Sequence, residues 1–295
     1  MRAAAVLVTV GLATAAGAVE PRFDVAGDGT LAIVNRATRE RVNVRYRGDD
    51  GRYDYGALDE IRRIMRSKGD RLEGDVTPRF VELLGWVYAR TRQPLVLLSG
   101  YRSPAYNERI RRRGVRAAGG SLHTEGMAAD LALPRDRLEP LWLELRGLGC
   151  CGAGHYAAQG FLHVDVGTPR FWGAESSRTD EDLSGGNARA FARTDFDRYT
   201  AGEMLLVRLH RVTAPPVRLQ RTAHLVPDGG AAGAAVVVEE LGQPARDGCI
   251  VADATTRLLV RGAPATHRGR VVFTTCEPRV ERTPERIESN PVTLR

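Results

Sequence analysis

Two short runs concentrate the side chains of this sequence that could hold a metal: SLHTEGMAAD, from Ser121 to Asp130, and FLHVDVG, from Phe161 to Gly167. The chain has six histidines, and each run spends one of them a few residues before an aspartate. A catalytic zinc takes three protein ligands from His, Asp and Glu and keeps a further position open for water. His123 and Asp130 can share an ion if the chain folds back between them, and Gly126 frees that turn. On a strand, His163 and Asp165 point to one face together with Phe161, while Leu162 and Val164 take the other. One imidazole with a carboxylate beside it suits a third ligand and an acid or orienting neighbour. Each run alone also fits a histidine that merely pairs with an aspartate; the two together favour a metal. A third run, LLSGYRSPAYN, places Arg102 at the turn between a buried strand and a helix. There it could bind a carboxylate bidentately or steady an oxyanion, or pair with a structural aspartate.

The elements around these runs are those of a compact α+β unit. Residues 31–47 read as a hairpin, two β-prone runs about a polar turn. YGALDEIRRIMRS and TPRFVELLGWVYARTR carry apolar residues at helical spacing, the second with Asp75 or Thr77 as cap and Pro78 in its first turn. PLVLLSG is a buried strand, and a helix from Ser103-Pro104 runs until Gly114 stops it. MAADLAL and GFLHVDVG are strands, with a short helix at 138–148 between them. Helices and strands mix without a regular βαβ repeat, which favours a small, mostly antiparallel sheet. Residues 174–194 lose the apolar pattern and read as a linker. Residues 195–290 are strand-like throughout, with six or seven short runs between turns, the pattern of a small β-sandwich. The last residues, 279–295, read as a frayed tail.

Composition bounds the setting. The first residues, MRAAAVLVTVGLATAAGAVE, have the arginine, short apolar run and small-residue ending of a secretory leader cleaved after Ala18, and no other stretch could span a bilayer. That predicts a periplasmic or secreted protein with no stable membrane span after cleavage. In an oxidising compartment Cys249 and Cys276 look like a bridge, whereas the adjacent Cys150 and Cys151 read as buried free thiols. The net charge of +7 rests almost wholly on arginine, since Lys68 is the one lysine. It suits mild attraction to an anionic envelope polymer, and without a basic patch interleaved with aromatics it argues against nucleic acid.

Taken in order, SGYRS…N, S-x-H-x-x-G-x-A-x-D and F-x-H-x-D-x-G resemble the pattern of the D-Ala-D-Ala carboxypeptidase-like zinc peptidases, which share a fold with hedgehog proteins. Within that group the hairpin LAIVNRATRERVNV, the run GRYDYGALDEI, the helix RSPAYNERIRRR and the stretch GHYAAQGFLHVDVG are most similar to murein endopeptidases of the MepK type. The resemblance implies a catalytic domain over residues 28–173 with Zn2+ held by His123, Asp130 and His163. It makes Arg102 a substrate or oxyanion contact and Ser121 a polar support that touches substrate beside the metal. The implied activity is hydrolysis of peptide cross-links in peptidoglycan, acting on its peptide stems. The dipeptidase branch of the group carries a glutamate three residues before its last histidine, where this chain has Gly160. Asp165 is therefore the first candidate for the base that handles the water proton, and His155 the second, standing where the MepK pattern has tyrosine. Glu125 is expected to face solvent, and His210, His224 and His267 to be ordinary surface or turn residues. Two other activities stay compatible: removal of a terminal D-alanine, and wall binding by a protein whose metal site is closed by a fourth ligand, for which Asp165 is the residue.

Overall fold

The computed structural model describes residues 19–115, 117–178, 181, 183–230, 232–241 and 248–295; the expected leader lies outside them. No helix among the described residues is long and apolar enough to cross a membrane. The chain is mixed α+β, and the α-helices among the described residues all lie in the N-terminal half.

That half is built on a seven-stranded sheet in the order β2 (Arg41–Arg45), β1 (Thr30–Asn35), β3 (Leu95–Ser99), β4 (Ala128–Ala132), β6 (Phe161–Asp165), β5 (Gly152–Tyr156) and β7 (Arg170–Gly173). β1 with β3 and β5 with β7 run parallel; the other neighbours are antiparallel. Helix α1 (Tyr55–Ile64) starts where the Asp54 side chain accepts the Ala57 N–H, and buries Ala57, Ile61 and Ile64, spaced to share one face. Helix α2 (Pro78–Thr91) is capped by Thr77 rather than Asp75, with Pro78 at its first position. Helix α3 (Pro104–Arg112) starts under the Ser103 cap, and Gly114 follows it with φ +78°. Helix α4 (Arg135–Leu148) begins three residues before the expected Leu138.

Strand alternation sorts the sheet into two faces. Leu131, Leu162 and Val164 enter one core with Leu84, Trp86, Leu141 and Leu145 from α2 and α4. Asp130, His163 and Asp165 occupy the alternating positions and share the opposite face. A buried carboxylate fixes α2 to the hairpin: Glu82, fully buried, accepts from the Tyr46 and Tyr53 hydroxyls at 2.8 Å each, from Arg47 Nε at 2.6 Å and from Gly27 N at 3.1 Å. Every lone-pair direction of that carboxylate has a donor, which is what makes its burial tolerable.

The C-terminal half is one eight-stranded sheet, in the order β8 (Phe191–Thr194), β10 (Leu205–His210), β15 (Arg257–Arg261), β13 (Ala234–Glu240), β12 (Thr222–Pro227), β16 (Thr266–Thr274), β17 (Arg286–Leu294) and β9 (Arg198–Tyr199). β11 (Val217–Gln220) and β14 (Cys249–Ala252) form a separate two-stranded ribbon. Two sheets are thus present, but of very unequal size, and the large one curls: the Asn290 side chain on β17 accepts the Thr194 N–H from β8, at the far end of the strand order. A Cys249–Cys276 disulfide ties the ribbon to the end of β16, as expected. Cys150 and Cys151 are joined to each other in the turn after α4, correcting the expectation of free thiols. Two further expectations are corrected: the stretch 174–194 ends in the edge strand β8, and the supposed tail contains β17, whose Ile287, Val292 and Leu294 are buried in the second core.

The two halves are bound to each other. Arg79 of α2 pairs with Asp197 at 2.5 Å and donates to Thr194 O at 3.0 Å. Arg193 of β8 donates to Gly167 O, and Phe191 packs into the N-terminal core. Glu125 does not face solvent: its carboxylate takes His210 Nδ1 at 2.6 Å and Arg211 N at 2.9 Å. His210 is accordingly a buried interdomain contact rather than a surface residue, while His224 is exposed on β12. The side chain of His267 lies outside the described residues.

Candidate metal centre

Strand register does most of the work of assembling the site. Ser99 of β3 pairs with Asp130 of β4, Asp130 with His163 of β6, His163 with Gly154 of β5, and Gly154 with Trp172 of β7. A single row across five strands therefore holds two of the three expected ligands side by side. The third comes from a short 3-10 turn, Leu122–Glu125, begun by Ser121, whose Oγ accepts the His123 N–H at 3.4 Å. Gly126 ends that turn in the left-handed region at φ +66°, and the chain passes directly into β4. A side chain there would collide with the Asp75 carbonyl, so the fold-back that brings His123 over Asp130 depends on glycine at this position.

The three side chains converge. His123 Nε2, His163 Nδ1 and Asp130 Oδ1 stand 3.3, 2.9 and 3.4 Å apart. Ligands bound tetrahedrally at the bond lengths of a small divalent ion are separated by about 3.3 Å, so the spacing fits one. The outer hydrogen bonds fix which ring nitrogens face inward. His123 Nδ1 donates to the Gly100 carbonyl at 2.7 Å, and His163 Nε2 donates to Asp165 Oδ2 at 2.9 Å. Both partners can only accept, so each imidazole in its neutral form keeps its proton outside and turns a lone pair inward, and a second proton on His163 Nδ1, shared with Asp130, is the one an ion would displace. Three acceptors in mutual contact are a site for a cation, and these residues form the one such group found among the described residues.

Charge follows the same geometry. Burial pushes the His123 pKa down, and nearby Arg102 adds to it. Burial works the same way on His163, but its hydrogen bonds to Asp130 and Asp165 prevail and raise it. Burial opposes the ionised form of Asp130, yet the two histidines hold it well below the usual carboxylate range. Arg102 donates to Asp130 Oδ2 at 2.7 Å and to Ser99 Oγ at 2.9 Å. Its guanidinium thus holds the second oxygen of a candidate ligand while still lining the cavity in front of the site.

The two base candidates lie elsewhere. Asp165 is fully buried behind His163, and its carboxylate also takes Gly167 N at 2.8 Å and Arg170 Nη2 at 2.6 Å. It backs the ligand and does not reach the point where the three acceptors meet, so it neither closes the site nor faces the open side. His155 pairs with Leu162, not His163, and so points to the opposite face of the sheet, where it stacks on Trp142 with ring centroids 5.7 Å apart. Ser121 lines the cavity as well as capping the turn.

The cavity holds about 430 Å³ and opens over the ligands. Tyr156, Phe161 and Trp172 wall it; Trp172 lies 5.3 Å from the His163 ring and donates to the Tyr156 hydroxyl at 2.9 Å. Among the described lining residues, Glu181 is the carboxylate besides Asp130, and Arg178 pairs with it. Sequence reasoning missed Arg170, Tyr156 and Trp172, though alternation along β5 and β7 puts the two aromatics on the side of His163 once the register is known.

Comparison with known proteins places a family match on the half that bears this site. Residues 25–172 match the family model described as peptidoglycan L,D-endopeptidase MepK. The chain is 35% identical over 82 residues to peptidoglycan L,D-endopeptidase MepK of Escherichia coli (strain K12), covering 28% of this chain and 45% of that one. It is 33% identical over 146 residues to the probable peptidoglycan L,D-endopeptidase MepK of Haemophilus influenzae, covering 48% of this chain and 77% of the relative. The alignment with the first of these spans less than half of the relative's length. No solved structure matches the chain significantly. With half of its length matched by the model, and with a relative most of whose length it covers, the chain belongs to the MepK family of peptidoglycan L,D-endopeptidases.

Proposed function

We propose that this protein is a zinc peptidase of the cell envelope that hydrolyses peptide cross-links in peptidoglycan, with residues 28–173 as its catalytic unit. The observation that carries the reading is the convergence of His123 Nε2, His163 Nδ1 and Asp130 Oδ1 at the floor of an open cavity. His, His and Asp form the donor set of a catalytic zinc with one position left to solvent. When bound, zinc would supply Lewis-acid activation of water and of the scissile carbonyl near neutral pH. The chain's own residues do the rest. Gly100 and Asp165 orient the two imidazoles, and Arg170 keeps Asp165 ionised behind His163. Arg102 holds Asp130 by one edge and presents the remainder of its guanidinium to the cavity, where a developing oxyanion would be stabilised. Trp172, Tyr156 and Phe161 narrow the space in which a peptide can lie.

An endopeptidase is favoured over a carboxypeptidase by the match of residues 25–172 to the peptidoglycan L,D-endopeptidase family. Catalysis is favoured over a closed structural site because Asp165 is turned away from the cavity. The test is digestion of purified cross-linked muropeptides, with mass analysis of the fragments, by the zinc-loaded protein, the chelated protein and Asp130→Ala. The reading expects cleavage at a cross-link by the first only. Undiminished cleavage by Asp130→Ala would refute it.

A further inference from the structure

The cavity over the ligands is not made by the family domain alone. Leu183, Ser184, Arg189 and Arg211, from the strands' approach to β8 and the turn after β10, complete its lining. Five arginines face it, and three are matched by carboxylates: Arg102 by Asp130, Arg170 by Asp165 and Arg178 by Glu181. Arg189 and Arg211 pair with no carboxylate among the described residues.

Arg211 is the telling one. It is only 7% exposed, and its Nε is buried with no hydrogen-bond partner. Burial, with Arg170 beside it, outweighs the carboxylates of Asp165 and Glu125 and pushes its pKa down to about 10, and Arg189 is lowered by burial and by Arg170 as well. A buried guanidinium crowded by other cations is costly unless something anionic offsets it. The backbone is also held unfavourably to keep it there: Arg211 sits in the left-handed region at φ +56°, its N–H fixed by Glu125 and the preceding His210 fixed by the same carboxylate. Strain of this kind persists where the surroundings over-determine it, and it gathers at ligand sites.

We infer that Arg211 and Arg189, supplied by the C-terminal half, form a carboxylate-binding subsite of the cavity that reads a free carboxylate on the peptide being cleaved. A guanidinium matches a carboxylate in a planar, two-bonded way, and a ligand anchored there shares the cavity with the metal site. The inference rests on the proposed peptidase reading for its substrate class. The C-terminal half then selects substrate and is not an inert appendage.

The test uses three synthetic stem peptides with the full-length, zinc-loaded protein: the free acid, the same peptide amidated at its chain terminus, and one amidated at a side-chain carboxylate. KM for the free acid should lie below that of one amide by about ten- to a hundredfold, the size of a lost charge-assisted hydrogen-bond pair, and that amide identifies the carboxylate read. In Arg189→Gln and Arg211→Gln the ratio should fall toward one. Because Arg211 is buried, each variant is checked by thermal melting, and exposed Arg189 carries the test if Arg211→Gln does not fold. An equal KM for all three peptides, or a preference that survives in the folded variants, would overturn the subsite. Should none of the peptides be cleaved, calorimetric binding separates the two ideas. Preference for the free acid then keeps the subsite and removes the peptidase reading, and no preference removes the subsite.

Discussion

At the scale of single residues, the site turns on which atoms face the shared point. Asp165 was the attractive base in the sequence because it stands two residues from a ligand, yet that same spacing lets it reach around to the far nitrogen of His163. Asp165→Asn should therefore weaken metal binding by about ten- to a hundredfold, the usual loss for a partner of a metal-bound histidine, while saturating zinc restores hydrolysis. Chelator competition with parallel assays checks this; lost activity at unchanged affinity would return Asp165 to the reacting groups. The raised pKa of His163 gives a second expectation. A proton favoured on His163 competes with the metal, so affinity should fall by about tenfold per pH unit as pH drops below that raised value, which lies above the ordinary imidazole value of about 6.5. The sign for folding of the metal-free chain is consistent: a raised histidine pKa stabilises the fold fully below its unfolded value and loses that contribution as pH rises through the folded one. Zinc titrations over roughly pH 6 to 8 test the first statement, and a flat affinity would contradict it. His123, Asp130 and His163 were legible because their spacing is carried by short, rigid segments. His155 was misread because only the β5–β6 register decides which face it takes, and register is a contact between strands, invisible in either alone.

Among the elements, helix starts were readable because caps are local. Thr77-Pro78 and Ser103-Pro104 state their own chemistry within a few residues. What holds α2 to the first hairpin was not readable, since Glu82 gathers Tyr46, Arg47, Tyr53 and Gly27 from distant positions. Glu82→Ala should destabilise the protein by about 3–5 kcal/mol, leaving the buried Arg47 without a counter-charge and two hydroxyls unpartnered. Urea unfolding measures it, and a loss under about 1 kcal/mol would show that water replaces the carboxylate. The strand β17 was mistaken for a tail because its residues, ESNPVTL, alternate weakly and include proline; long-range pairing with β16 supplies what local preference lacks.

For the molecule as a whole, the sequence showed two compositional halves but not that they meet at the site. The link is Glu125, which leaves the turn that carries His123 to take His210 and the Arg211 backbone. Glu125→Ala should loosen the junction by about 1–3 kcal/mol, the penalty for the groups left unsatisfied, with faster proteolysis between 174 and 190 and a raised KM. Unchanged proteolysis and kinetics would mean that Arg79–Asp197 and the Phe191 packing hold the halves unaided. Beneath all of this lies the claim that three side chains share one divalent ion. Zinc content of the folded, full-length protein after exhaustive dialysis tests it most directly, measured beside Asp130→Ala and His163→Ala variants whose folding is verified by circular dichroism. The account predicts about one tightly held zinc per wild-type chain and essentially none in either variant; zinc retained by both folded variants, or none in the wild type, would contradict it.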